Sequence, residues 1–318
     1  MSTVSVIIAT HNRPHLLPRA IESALAAGVD VEVVVVDDAS TDETGEVCRQ
    51  TRGIRYVRVE RNQGVAGARN IGILESRGEY LTFLDDDDVR LAGSLDLQIE
   101  TLASTKEAGL IYGQALIADQ SGVVSEDYYP KHCPQGDVFW ELLCQNFIPC
   151  GTAVFRRSCL LRTGLLDQSV PGIDDWDLWI RIASLYTIQR LERPVMIWRS
   201  ATPVSGQGTS QASEVVAMST RLFRRKWLKL PRATQASAEM RRLAWQGFST
   251  QMGKHLATET ARALKHRHFL RAQKNALAAF QLHPLGSLRA ALRPATLGFL
   301  WGGLKKRWSR ASMFAHLR

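Results

Sequence analysis

Short apolar runs rich in β-branched residues recur through the first part of the chain: "VSVIIAT" (4–10), "VEVVVV" (31–36), residues 54–59 and "EYLTFL" (79–84). Runs of this length read as strands buried on both faces. Between them the apolar spacing changes to that of a helix. Leu17, Ile21 and Leu25 lie on one helical face that ends at Gly28, with Asn12 placed to cap the helix and Pro14 near its first turn. "DASTDE" (38–43) offers Ser40 and Glu43 as a capping box for a second helix, and "NQGVAGARNIG" (62–72) leads into a third. Strands alternating with helices predict an α/β protein built on a parallel sheet covered on both faces.

From about residue 100 to 200 the pattern is less regular. "GLIYGQALIAD" (109–119) and "SGVVSEDYY" (121–129) predict a hairpin closed near 120–122, and "CGTAVFRRSCLLRTGLLD" (150–167) reads as strand, helix and turn. "GIDDWDLWIRIASL" (172–185) sets Trp176, Leu178, Trp179, Ile182 and Ala183 at helical spacing among acids and Arg181, and "RPVMIWRS" (193–200) is a further short strand. Residues 213–318 read as mainly helical, with breaks at Pro231, 283–284 and Pro294. The expected division is therefore 1–212 and 213–318.

In an open parallel sheet the binding crevice lies beyond the carboxyl ends of the strands. His11 and Asn12 come after the first strand, Asp37 and Asp38 after the second, and Asp85 to Asp88 after the fourth. A turn or helix cap accounts for Asp37 or Asn12 taken singly. It does not account for four consecutive carboxylates, which repel one another unless a cation sits among them. Hard oxygen donors select Mg²⁺ or Mn²⁺, ions that keep open positions for substrate phosphates. Alternation along a strand predicts Asp85 and Asp87 on one side and Asp86 and Asp88 on the other. With neither GxxxxGK[ST] nor GxGxxG in the chain, the phosphate grip falls to the metal and to basic side chains, Arg69 being close to the site in sequence.

Five segments, "VSVIIATHNRP", "VVVVDDASTD", "NQGVAGARNIG", "FLDDDDV" and "IDDWDLWIRIA", in that order over about residues 3–200, resemble the family 2 glycosyltransferases, inverting enzymes of the GT-A fold. The resemblance implies a mostly parallel central sheet, a nucleotide-binding half (1–100) and an acceptor-binding half (101–212). It implies that Asp38 accepts hydrogen bonds from the nucleotide base, with Ala9, His11 and Asn12 around it. It makes Asp85 and Asp87 the metal ligands and gives Asp86 a contact with ribose or metal. Asp174 and Asp175 fall on the acidic pair whose second member is the general base, although position 174 is Asp where Glu is usual. One base and one cation suffice for an inverting transfer, since the metal neutralises the leaving diphosphate. Many members carry a histidine after this helix that reaches the metal or diphosphate. Here "WRSATPVSGQGTSQAS" (198–213) has none, which leaves the diphosphate to Arg199 or to a lid formed by this Gly/Ser-rich stretch. Trp176 and Trp179 are either a platform for a sugar ring or core.

Composition alters this picture in one respect. A content of 45% hydrophobic and 22% charged residues is ordinary for a globular chain, but residues 1–220 carry 19 Lys and Arg against 29 Asp and Glu, and residues 221–318 carry 21 against 2. "RLFRRKWLKL" (221–230) and "GFLWGGLKKRWSR" (298–310) mix Leu, Phe and Trp with clustered cations. Such segments suit an anionic membrane surface, or a helical subdomain packed on an acidic body. No nucleic-acid-binding motif accompanies the charge, so nucleic acid is not an expected partner. The odd number of cysteines and the lack of a CxxC pair fit free thiols in a reducing compartment. "MSTVSVIIAT" (1–10) lacks the pattern of a signal peptide, and no apolar stretch approaches the ~20 residues of a membrane span. The expectation is a cytoplasmic protein, peripheral on the membrane. It would transfer sugar from a nucleotide-diphosphate sugar to a saccharide or lipid-linked saccharide, in cell-surface polysaccharide or glycolipid synthesis. Two other classes compete. A nucleotidyltransferase normally needs a glycine-rich loop after the first strand, where "ATHNRPH" has none. A sugar-nucleotide-binding protein without activity has no physical reason to keep a repulsive acid cluster.

Overall fold

In the computed structural model, which describes residues 3–200 and 211–282, the four apolar runs form strands β1 (Val4–Thr10), β2 (Val31–Asp37), β3 (Ile54–Arg58) and β4 (Tyr80–Asp85). They pair in parallel in the order β3-β2-β1-β4. Helices α1 (Leu17–Leu25), α2 (Thr44–Gln50) and α3 (Gly64–Glu75) make the crossovers. Helix α3 approaches β1 so closely that a Cβ at Gly72 would lie 2.3 Å from Ile7 Cγ2, which only glycine avoids.

The predicted helix starts are wrong in detail, for a shared reason. Asn12 does not cap α1, which begins at Leu17 with Pro18 in its first turn. It adopts φ 54° and accepts at Oδ1 from Thr41 N (2.8 Å), while its own N donates to Ser40 Oγ (2.9 Å). Ser40 is thereby occupied and forms no capping box; α2 starts at Thr44, whose N donates to Asp42 Oδ1 at 3.0 Å. The two loops bond to each other across the carboxyl end of the sheet instead of capping their own helices.

The sheet continues through strands of mixed direction. After the two-residue β5 (Val89–Arg90) and helix α4 (Ser94–Ser104) come the predicted hairpin, β6 (Ala108–Ala118) with β7 (Val124–Tyr129), helix α5 (Phe139–Cys144), β8 (Val154–Arg156), α6 (Leu160–Thr163), α7 (Asp174–Ala183) and β9 (Thr187–Arg199). β9 begins six residues before the run read from sequence. The full order is β3-β2-β1-β4-β8-β6-β9-β5, with β7 on β6; β8 is antiparallel to both neighbours and β9 parallel to β6. Arg90 is 2% exposed and donates to Gln98 Oε1 (2.6 Å) and Thr82 Oγ1 (2.5 Å), while Gln98 donates to the Thr152 carbonyl (2.8 Å). This buried network holds β5 against β4 just past the acid run.

The chain divides into two units, Met1–Thr209 with Leu230–Thr234, and Ser210–Lys229 with Gln235–Arg318. The second is helical: α8 (Ala212–Arg225), α10 (Ala238–Lys265), capped by Ser237 accepting from Met240 N (3.1 Å), and α11 (Phe269–Leu282). The short helix α9 (Pro231–Thr234), between α8 and α10 in the chain, belongs to the first unit. The helical unit contains an apolar cluster of Ala212, Val216, Leu256 and Ala279 and a ring cluster of Phe223, Trp227, Trp245 and Phe248. No helix among the described residues is long and apolar enough to cross a membrane. Residues 201–210 of the expected lid (198–213), the breaks at 283–284 and Pro294 and the basic segment 298–310 lie outside the described residues.

Candidate functional site

The register of β1 places Thr10 beside Asp37 and Ala9 beside Asp85, so the polar residues after three strands meet at one edge of the sheet. Asp37 is fully buried and accepts from Ser40 N (2.8 Å), Tyr56 Oη (2.8 Å) and Arg58 Nη1 (2.9 Å), an anchor for the loop. Asp38 is 4% exposed; its Oδ1 accepts from Gln63 N (2.7 Å) and its carbonyl from His11 Nδ1 (2.7 Å). Asn12 Nδ2 donates to His11 Nε2 at 3.2 Å, which agrees with a proton on Nδ1.

The acid run departs from the alternation predicted for it. β4 ends at Asp85 and the chain turns, with Asp88 N donating to the Asp85 carbonyl at 3.1 Å. Asp88 thus joins Asp85 and Asp87, with one carboxylate oxygen of each lying within 4.8 Å of the others. Asp86 points elsewhere. It is buried, accepts from Thr10 Oγ1 (2.8 Å) at Oδ2 and from Arg13 Nη1 (2.6 Å) at Oδ1, and so has both oxygens engaged, where the resemblance implied a contact with ribose or metal. Burial lifts the Asp86 carboxyl to about 6, against the pull of Arg13 and Thr10. Arg13 also reaches Asp87 at 3.3 Å.

Burial and then the charge of Asp85 raise the Asp87 carboxyl and lift Asp88 well above the usual range. Three oxygen donors that repel in this way, two of them partly exposed, fit a hard divalent cation. Asp88 is fixed by Arg199, whose backbone N donates to its Oδ1 at 2.9 Å. The Arg199 guanidinium bonds to the Gln120 carbonyl (Nε, 2.9 Å), so in this arrangement it is turned to the hairpin and not offered to a diphosphate.

Arg69, expected to grip phosphate, is 6% exposed and joins two carboxylates: Nη2 to Asp85 Oδ1 (2.7 Å) and Nη1 to Asp174 Oδ2 (3.0 Å). A guanidinium at this depth must be paired, and these acids pair it. Asn70, the next residue, exchanges two 2.9 Å bonds with the backbone of Leu166 and ties α3 to the approach to α7. Asp174 and Asp175 open α7. Asp174 is held by Arg69, whereas Asp175 is half-buried and accepts from Trp176 N (2.6 Å) at Oδ1. Burial, then the Asp174 charge, raise the Asp175 carboxyl to about 7, with Arg69 opposing.

The sugar-platform reading of the two tryptophans is overturned by burial. Trp176 is 4% exposed and its indole N donates to the Leu142 carbonyl (2.7 Å); Trp179 is fully buried against Phe83 and Phe155. Trp179 Nε1 finds no acceptor among the described residues. Trp179→Phe loses ring area but removes that unpaired donor, so urea unfolding is expected to show a cost on the order of 1 kcal/mol, well below a Trp→Ala cavity. Nucleotide binding should be unchanged.

Sequence reasoning missed Asp88, Thr10, Arg13 and Asn70. Asp88 was in the acid run and was set aside by the alternation argument; nothing local singles out the other three.

The model of the family described as Glycosyl transferase family 2 matches residues 5–161. The chain is 30% identical over 198 residues to an uncharacterized glycosyltransferase of Rickettsia felis, covering 60% of this chain and 32% of that protein. It is 30% identical over 189 residues to the UDP-Glc:alpha-D-GlcNAc-diphosphoundecaprenol beta-1,3-glucosyltransferase WfaP of Escherichia coli, covering 58% of this chain and 71% of WfaP. This chain therefore spans about a third of the first relative and about seven-tenths of the second. Among solved structures, S. aureus TarS 1–349 in complex with UDP-GlcNAc superposes with a TM-score of 0.58 at 15% identity, over 88% of this chain and 91% of that one, a likeness of fold. Motifs, architecture and relatives agree, and the chain belongs to glycosyl transferase family 2.

Proposed function

We propose that the protein is a metal-dependent, inverting glycosyltransferase that moves a sugar from a nucleotide-diphosphate sugar to an acceptor hydroxyl. One observation carries the reading. Arg69 ties Asp85 of the carboxylate trio to Asp174, so a group suited to a cation is joined by one ion-paired arginine to the residue next to Asp175, whose carboxyl is raised to about 7. Asp85, Asp87 and Asp88 hold the ion, Mn²⁺ or Mg²⁺, which when bound neutralises the leaving diphosphate. Asp175 takes the proton of the acceptor hydroxyl as that oxygen bonds to the anomeric carbon and the bond to the diphosphate breaks. A single displacement of this kind inverts the anomeric centre. Asp174 is held by Arg69 and keeps that cation beside the base.

Residues 1–100 take the donor, with Asp38 accepting from the base and Ala9, His11 and Asn12 around it; residues 101–212 take the acceptor. WfaP, which is described as acting on a diphosphoundecaprenol-linked sugar, supports a saccharide or lipid-linked saccharide as acceptor. The role proposed with that acceptor is surface polysaccharide or glycolipid synthesis at the cytoplasmic face of the membrane.

Thermal unfolding with UDP, GDP, CDP and dTDP, each with and without Mn²⁺ or Mg²⁺, tests the reading. A rise in Tm with one nucleotide that requires the ion is expected, since a ligand bound only by the native state stabilises it. No rise with any combination would overturn a metal-diphosphate site.

A further inference from the structure

We propose that the outward face of α11 (Phe269–Leu282) is a docking surface for an anionic phospholipid bilayer. This face lies in the helical unit, goes beyond the transferase reading and does not depend on it. The order of side chains on α11 is the reverse of the usual one. The residues it buries are Ala272, Asn275 and Ala279, whereas Phe269, Leu270, Leu277 and Phe280 are 67, 69, 57 and 56% exposed. At 3.6 residues per turn these four fall within a sector of about 100°, so they form one ridge. A surface helix ordinarily turns its large apolar side chains inward, and a contiguous apolar ridge left outside marks a contact surface.

The surrounding charge selects the occupant. The turn from α10 into α11 presents Lys265, His266, Arg267 and His268, all exposed, directly beside Phe269 and Leu270, and Lys274 borders the ridge. Residues 211–229 and 235–282 together carry 13 Lys and Arg against 3 Glu. A second copy would bring like charge to like charge. Residues 283–318 carry 7 Lys and Arg and no acid, and so do not complement the turn either. A nucleic acid matches the charge but offers no apolar phase for Phe and Leu. An anionic bilayer supplies both, acyl chains for the ridge and phosphates for the flanking cations.

The test is flotation of the full chain with vesicles of phosphatidylcholine containing phosphatidylglycerol, and with phosphatidylcholine alone. Binding is expected to the anionic vesicles and to weaken as salt is raised. Replacing Phe269, Leu270, Leu277 and Phe280 together by Gln should lower the partition coefficient at least ~10-fold, with Tm unchanged because all four are exposed. Lys265→Glu with Arg267→Glu should weaken binding and flatten its salt dependence. Vesicle binding that survives the four Gln substitutions places lipid contact elsewhere in the chain and overturns the proposal. So does a dimer that these substitutions dissolve, with no flotation of either protein. Binding to an RNA oligonucleotide in place of vesicles, indifferent to the apolar substitutions, overturns it as well.

Discussion

Asp175→Asn is expected to lower turnover by ~10²-fold or more, while nucleotide binding survives. The carboxamide is nearly isosteric and its oxygen can still accept from Trp176 N, so α7 should start as before. The variant loses only the ability to take a proton. Because burial and Asp174 raise the native carboxyl to about 7, the wild-type rate should fall as pH drops through that value, where the base becomes protonated, and level off above it. The substituted enzyme should lose that limb of the profile. A mutant with wild-type turnover would remove Asp175 from the chemistry. The neighbouring acid behaves differently: Asp174→Asn would leave Arg69 with Asp85 alone, and its effect should reach folding as well as rate.

The second large effect concerns the cation. Asp88→Asn should weaken Mn²⁺ binding by on the order of 100-fold, read as loss of the metal-dependent rise in Tm with nucleotide. The amide oxygen keeps the bond from Arg199 N, so the turn after β4 should persist. Asp86→Asn is the control. Its oxygens serve Thr10 and Arg13, so it should lower stability and leave the metal dependence in place. Equal loss from both variants would undo the distinction drawn between them. Full metal binding by Asp88→Asn would reduce the trio to Asp85 and Asp87.

The strands and the carboxyl-end position of the polar residues were readable because each comes from local pattern. A buried strand needs a run of β-branched residues, and a parallel sheet gathers the loops at the carboxyl ends of its strands along one edge. Local rules failed where the chain bonds across the crevice. Asn12 and Ser40 have the composition of caps, yet each satisfies the other's loop, because the ends of β1 and β2 lie side by side. Trp176 and Trp179 obey helical spacing whether they face a ligand or the core, and only burial separates the two.

The amino-acid order alone was enough for the α/β class, for the family resemblance and for the acids from which a site is made. These are properties of short segments, and short segments carry them wherever they sit. Which carboxylates come together, which are paired with Arg13 and Arg69, and which gain a raised affinity for a proton depend on the fold. Asp85 and Asp174 are 89 positions apart and meet only through Arg69. The charge state of a group depends on its burial and on charges a few ångströms away, and those neighbours come from distant parts of the chain.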